Sequence, residues 1–192
     1  KLYLGDEVRL PPIRLKVEEE KYADLSLNLE NHIVFENNEL IVINKPAGLA
    51  VHGGSSVKTG LIESLRASRK NDRPKEKLEL IHRLDKDTSG CLMISKKRSS
   101  LVFLQNLLRR PGSITKKYTV LVHGNWPSKL IEITQPLETF SKEGRERWTK
   151  VSASGKSART IFRKMFGTED FSLIEAFPKT GRTHQIRVHA LW

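Results

Sequence analysis

Up to about Asn31 the chain shows little apolar periodicity: KLYLGDEVRLPPIR closes on Pro11-Pro12, and Glu18, Glu19 and Glu20 follow. From there the pattern changes. His32-Ile33-Val34-Phe35 and Leu40-Ile41-Val42-Ile43 are β-rich runs separated by Glu36-Asn37-Asn38-Glu39, a turn composition, so a hairpin is predicted to open the main domain. Pro46 holds Lys45 extended, and Gly48, Gly53 and Gly54 make the next segment a loop. Leu61, Ile62 and Leu65 have helical spacing, with Thr59 as the expected cap, and the helix should end in the charged, proline-containing segment 69–77. Leu78–Ile81 and Cys91–Ser95 are predicted strands flanking a polar insert. Ser99 or Ser100 is expected to cap a helix with Leu101, Leu104 and Leu108 on one face, ended by Pro111-Gly112. Tyr118–His123, Ala158–Phe162 and Phe171–Phe177 complete the predicted strands, and Gly181 leads into a short helix that Thr183 would cap. Strands dominate without regular strand–helix alternation, which favours an α+β domain with a largely antiparallel sheet over a doubly wound fold.

Composition narrows the class. At 192 residues and 38% hydrophobic, the chain fits one globular domain with a fragment of another, and its apolar runs fall far short of the ~20 residues that cross a bilayer as a helix. One cysteine, Cys91, excludes an internal disulfide or a cysteine-rich zinc site; without an apolar leader, a reducing cytoplasmic compartment is expected. Cys91 itself is expected to be a small buried hydrophobe in its strand. The net charge of +12 is uneven: residues 66–117 hold 15 basic and 5 acidic side chains, whereas residues 1–65 are net negative. Clustered Lys and Arg suit a polyanion, since neutralising phosphates releases counterions, although a solvated basic surface has the same composition.

The stretch ELIHRLDKDTSGCLMISKK, residues 79–97, holds the candidate chemistry. A strand runs into His82, Arg83, Leu84 and Asp85 before a tight polar turn, where backbone hydrogen bonds can hold a carboxylate rigidly. Asp87, Thr88, Ser89 and Gly90 fit turn architecture, and Arg83 with Asp85 could equally be a structural ion pair, so this motif alone names no reaction. His184 and His189 are five apart, and His52, His82 and His123 lie elsewhere without a ligand pattern, so no metal site is expected. His82 and His184 are expected to stabilise loops by hydrogen bonding.

Four strings carry more together: INKPAGLAVHGG at 43–54, HRLDKDTSG at 82–90, KKYTVLVHG at 116–124 and TGRTHQIRVHA at 180–190. In type and order they resemble the RluA family of RNA pseudouridine synthases, and Gly5-Asp6-Glu7-Val8 before Pro11-Pro12 resembles its RluC-like branch, which acts on large-subunit ribosomal RNA. The resemblance implies the pseudouridine synthase catalytic fold: a mixed, mainly antiparallel sheet with flanking helices and a central cleft over residues 32–192. It also implies that residues 1–15 are the tail of a small RNA-binding domain and 16–31 a linker. The family continues beyond RVHA, so the catalytic domain is expected to be C-terminally incomplete, and Cys91 stands where the family often has an aliphatic residue.

By the same resemblance Asp85 is the catalytic carboxylate, acting either by covalent attack or by removing a sugar proton. Arg187 pairs with it and keeps it ionised. Arg83 occupies the space left by the flipped base, while Tyr118 and Ile186 sandwich the uracil. Lys45, Lys86, Lys116 and Arg182 are expected RNA contacts. Isomerisation requires neither cofactor nor metal, and the implied partner is ribosomal RNA of the large subunit or its precursor, with no membrane and no obligatory protein partner. Two other readings stay open on residues alone: a noncatalytic RNA-binding or ribosome-assembly module using the basic region, and a base-releasing hydrolase using Asp85.

Overall fold

The computed structural model describes residues 28–54, 59–73, 76–141 and 148–192, so the expectations for residues 1–27 lie outside the described residues. A single 3-10 turn, Leu29–His32, is capped by Asn28, whose side chain accepts from the Glu30 N–H. Strands β1 (Ile33–Glu36) and β2 (Leu40–Lys45) form the predicted hairpin. Asn37 turns the chain, its Oδ1 accepting from the Glu39 and Leu40 N–H groups at 2.8 and 2.9 Å. Helix α1 (Leu61–Arg69), the short β3 (Glu79–Leu80), β4 (Gly90–Ser95) and helix α2 (Arg98–Arg109) follow. The first half is a four-stranded antiparallel sheet in the order β1-β2-β4-β3.

The second half begins with β5 (Tyr118–His123), as predicted, and continues through β6 (Ile131–Ile133), β7 (Leu137–Phe140), β8 (Trp148–Val151), β9 (Thr160–Gly167), β10 (Phe171–Pro178) and helix α3 (Gln185–Leu191). A second antiparallel sheet runs β5-β10-β9-β6, and β7-β8 form a separate hairpin. Every pairing among the described strands is antiparallel. The α+β class is therefore as expected. Among the described residues no helix is long and apolar enough to cross a membrane.

Two apolar clusters correspond to the two sheets. Ile41 and Ile43 of β2 and Leu92 and Ile94 of β4 meet Leu61, Ile62 and Leu65 of α1. Ile133, Phe162, Ile174 and Ala176 form the second cluster, with Tyr118, Trp126 and Ile186 packed on it. Strand alternation corrects one expectation: with Leu92 and Ile94 facing inward, Cys91 is on the opposite side of the pleat and is exposed.

Helix starts differ from the predicted caps. Gly60, not Thr59, caps α1, because the chain presses there against His52: a Cβ at Gly60 would lie 2.5 Å from the His52 backbone. The Gly60 N–H is accepted by Glu63 at 2.9 Å. Lys97 precedes Ser99 and Ser100 as the cap of α2, its N–H held by Ser95 Oγ at 3.2 Å, and His184 replaces Thr183 at α3.

Ahead of β1, Leu29 is buried in the first core and Glu30 is tied to α1. Arg69, at the end of α1, is buried and donates in forked pairs to Glu30 (2.7 and 2.7 Å) and Glu36 (2.9 and 2.8 Å), with Glu76 at 3.4 Å. Arg73 and Lys96 complete the knot on Glu36 and Glu76. Hydrogen bonding from Arg69, aided by Lys96, overcomes burial and lowers the Glu36 carboxyl from its ordinary 4.5 to about 2.

Arg69→Ala would leave three carboxylates facing one another beneath α1. We expect a loss of about 3 kcal/mol in urea unfolding, the low end for breaking a buried pair, because Glu30 still reaches water. Since the folded Glu36 carboxyl titrates below its unfolded value, its contribution is complete above about pH 4.5 and disappears as pH falls towards 2. Glu36→Gln should flatten that part of the acid-unfolding curve.

Candidate active site

Asp85 is carried by the loop between β3 and β4, at the edge of the first sheet. The polar segment is a turn, as its composition predicts: the Thr88 N–H donates to the Asp85 carbonyl at 3.1 Å, and Gly90 has φ +116°, which disfavours any side chain there. His82 ties the loop to β4 by accepting from the Met93 N–H at 3.1 Å. Burial lowers the His82 pKa, aided by the charge of Lys116 and opposed by a hydrogen bond with the Arg83 backbone. A neutral ring with an accepting Nε2 suits the Met93 contact. The loop-stabilising role expected of His82 is thus its observed geometry.

Lys45 requires a correction. Its side chain is fully buried, and Nζ donates to the carbonyls of Pro46 (2.9 Å), Leu49 (2.9 Å) and Lys86 (2.8 Å). An ammonium has three donors, and all are used, so Lys45 has no hydrogen to offer a phosphate. It fastens the end of β2 and the following loop to the residue immediately after Asp85. Burial lowers its pKa, while the charges of Asp87 and Asp85 oppose the shift. Lys-Pro followed by glycine was read as an extended residue before a loop; a cation turning back on its own loop carbonyls has no periodic signature.

The second sheet and α3 supply the facing groups. Tyr118 begins β5 and packs in the same apolar cluster as Ile186 of α3, the pair expected to flank a planar base. Burial raises the Tyr118 pKa, and the charge of the Asp85 carboxylate raises it further, which keeps the phenol protonated. Lys116, two residues earlier, is half-buried with its pKa lowered by desolvation. His184, the residue before α3, brings Nε2 to 4.0 Å from Asp85 Oδ2.

Other expected positions are more open. Arg187 is exposed and, among the described residues, has no ion pair with Asp85 within 4.0 Å; His184 occupies that position. Arg83 is exposed on the Asp85 loop, and the Arg83–Asp85 ion pair left open by the sequence does not form. Lys86 is exposed, with its carbonyl accepting from Lys45. Arg182 is exposed and donates from Nε to the Ser157 carbonyl at 2.9 Å. A separate charged groove, lined by Arg66, Lys70, Arg73, Lys77, Glu79 and Arg98, contains none of these residues.

A half-exposed carboxylate thus has an imidazole 4.0 Å away and a charge that acts on a half-buried phenol. The family described as RNA pseudouridylate synthase matches residues 39–192, which include all of these groups. The chain belongs to that family. It is 44% identical to the ribosomal large subunit pseudouridine synthase C of Escherichia coli strain K12 over 193 residues, covering 98% of this chain and 59% of that protein. The protein of that name from Yersinia pestis is 47% identical over 195 residues, covering all of this chain and 60% of its own length. The chain therefore spans about three fifths of the curated relatives it matches. Among solved structures, human RNA pseudouridylate synthase domain containing 4 superposes with a TM-score of 0.66 at 29% identity, over 84% of this chain and 64% of that one. Human RNA pseudouridylate synthase domain containing 1 shares the fold, with a TM-score of 0.63.

Lys45→Met keeps the stem length but leaves three carbonyls unpaired around an apolar end. We expect a stability loss of about 2 to 4 kcal/mol in denaturant unfolding. The loop bearing Asp85 should also lose protection against amide hydrogen exchange, with the Thr88 N–H exchanging faster.

Proposed function

We propose that this protein isomerises uridine to pseudouridine in large-subunit (23S) ribosomal RNA in the cytoplasm. The N1–C1′ bond breaks, the uracil turns, C5 joins C1′, the C5 proton is released to solvent and N1 takes up a proton. No net oxidation, reduction or hydrolysis occurs, so the chemistry calls for no redox cofactor. The observation that carries the reading is the approach of the α3 start, through His184 of the second half, to Asp85 on a loop of the first sheet. Family membership and relatives named for large-subunit pseudouridine synthesis support the reaction and the RNA class.

In this reading Asp85 acts on the sugar carbon by covalent attack or on a sugar proton. Tyr118 and Ile186 hold the uracil between an aromatic face and an aliphatic side chain, a contact that fixes the plane of the ring while permitting rotation. The target base must leave the stack to reach them, and exposed Arg83 fills the vacated place. Arg187 is the second cation available to Asp85 or to a phosphate when RNA is bound. Lys86, Lys116 and Arg182 contact the backbone, giving affinity that falls with salt.

With the full-length protein and RNA labelled with tritium at uridine C5, we expect tritium release without free uracil. Asp85→Asn should reduce release by at least about 10³-fold, as removal of an essential group does, while RNA binding persists. Binding without base modification would favour the noncatalytic module, and free uracil with abasic RNA the hydrolase. Lys86→Ala should weaken binding similarly across RNA sequences and make its salt dependence shallower.

A further inference from the structure

The chain between β10 and α3 is held by one buried amide. Gln185 Oε1 accepts from Thr180 Oγ1 at 2.7 Å and from the Arg182 N–H at 3.0 Å. Its Nε2 donates to the Arg159 carbonyl at 3.0 Å and to Thr160 Oγ1 at 2.9 Å. Two acceptor and two donor positions are all used, so Gln185 fixes the turn from both sides. One turn along α3, His189 adds a second buried tie, with Nδ1 2.8 Å from Thr160 Oγ1 and Nε2 3.0 Å from the Gln135 carbonyl.

The residue before this anchor has an unusual backbone. His184 has φ +52° and ψ +21°, and it is the only non-glycine with positive φ among the described residues. Glycine would adopt this conformation freely and asparagine more readily than most residues, whereas a Cβ is crowded there. The imidazole is carried on that backbone to within 4.0 Å of Asp85 Oδ2. A closure of about 1 Å, or one bridging water, converts that separation into a hydrogen bond from an Nε2–H tautomer.

We propose that His184 is a positioning residue for Asp85: its imidazole, aimed by its left-handed backbone, holds the carboxylate in its reactive orientation. This deepens the function proposed above and rests on it. His184 transfers no proton and forms no bond to substrate in this role. The second half of the domain thereby sets the angle of a carboxylate carried by the first.

The backbone and side-chain contributions separate by substitution in the full-length protein. His184→Gly removes the ring and relieves the left-handed conformation; His184→Asn retains tolerance of that conformation with a side chain too short to reach; His184→Gln restores a longer donor. We expect Gly and Asn variants with thermal midpoints at or above the parent, kcat for tritium release down about 10- to 100-fold, and KM for RNA within about threefold. His184→Gln and millimolar imidazole added to His184→Gly should recover part of kcat. Crystals of His184→Gly should show the Asp85 carboxylate in more than one rotamer. A kcat within twofold of the parent in the Gly and Asn variants, or a loss matched by a lower folded fraction, overturns the proposal. If the parent forms no pseudouridine, the proposed function fails separately. The Asp85 rotamer in His184→Gly then decides the positioning role, and a single unchanged orientation refutes it.

Discussion

An ammonium taken out of water must recover its hydrogen bonds inside the protein, and the carbonyls of Pro46, Leu49 and Lys86 provide them for Lys45. Those three oxygens converge because Lys45 is opposite Gly90 in the β2–β4 ladder, where the loop bearing Asp85 rejoins the sheet. The chain after β2 folds back over the cation, and the turn after Asp85 closes it from the other side. Because the bond is made to the Lys86 backbone, it constrains the peptide beside Asp85 and leaves the carboxylate itself unengaged. The result is a rigid main chain under a half-exposed acid.

The other side of the site is built on different principles. Tyr118 enters from β5, where it packs against the second core, and the Asp85 charge helps to raise the pKa of its phenol. The α3 start is held by a saturated amide as well as by the packing of Ile186 on the second core. Each half thus brings its own anchor, a lysine among carbonyls or a glutamine between strand and helix, and the site forms where the two meet. Arg187 lies on α3 but is exposed, and His184 Nε2 stands 4.0 Å from Asp85 Oδ2.

Much of this was legible in the sequence. The β1–β2 hairpin, α1, β4 and β5 follow from alternation, helical spacing and turn residues, which are local properties. Asp85 stood out because a strand ended in a charged residue before a tight turn. Strands β6, β7 and β8 passed unnoticed because segments of three or four residues scarcely establish a period. Lys45 was misread as an RNA contact because a lysine beside a glycine-rich loop looks solvated until the loop's carbonyls are placed. His184 carries no local mark of its left-handed backbone, and the neighbouring Gln185 is tied to Arg159 and Thr160, some 25 residues earlier. The basic excess of residues 66–117 was similarly ambiguous: Arg69, Arg73 and Lys96 within it are neutralised by Glu30, Glu36 and Glu76.

That division of cations has a practical side. Mobile ions screen charges that water surrounds far more effectively than pairs enclosed by protein. Concentrated salt should therefore loosen adhering polyanions from Lys86 and Arg182 well before it weakens the knot around Arg69. The molecule can be washed free of nucleic acid while α1 stays seated.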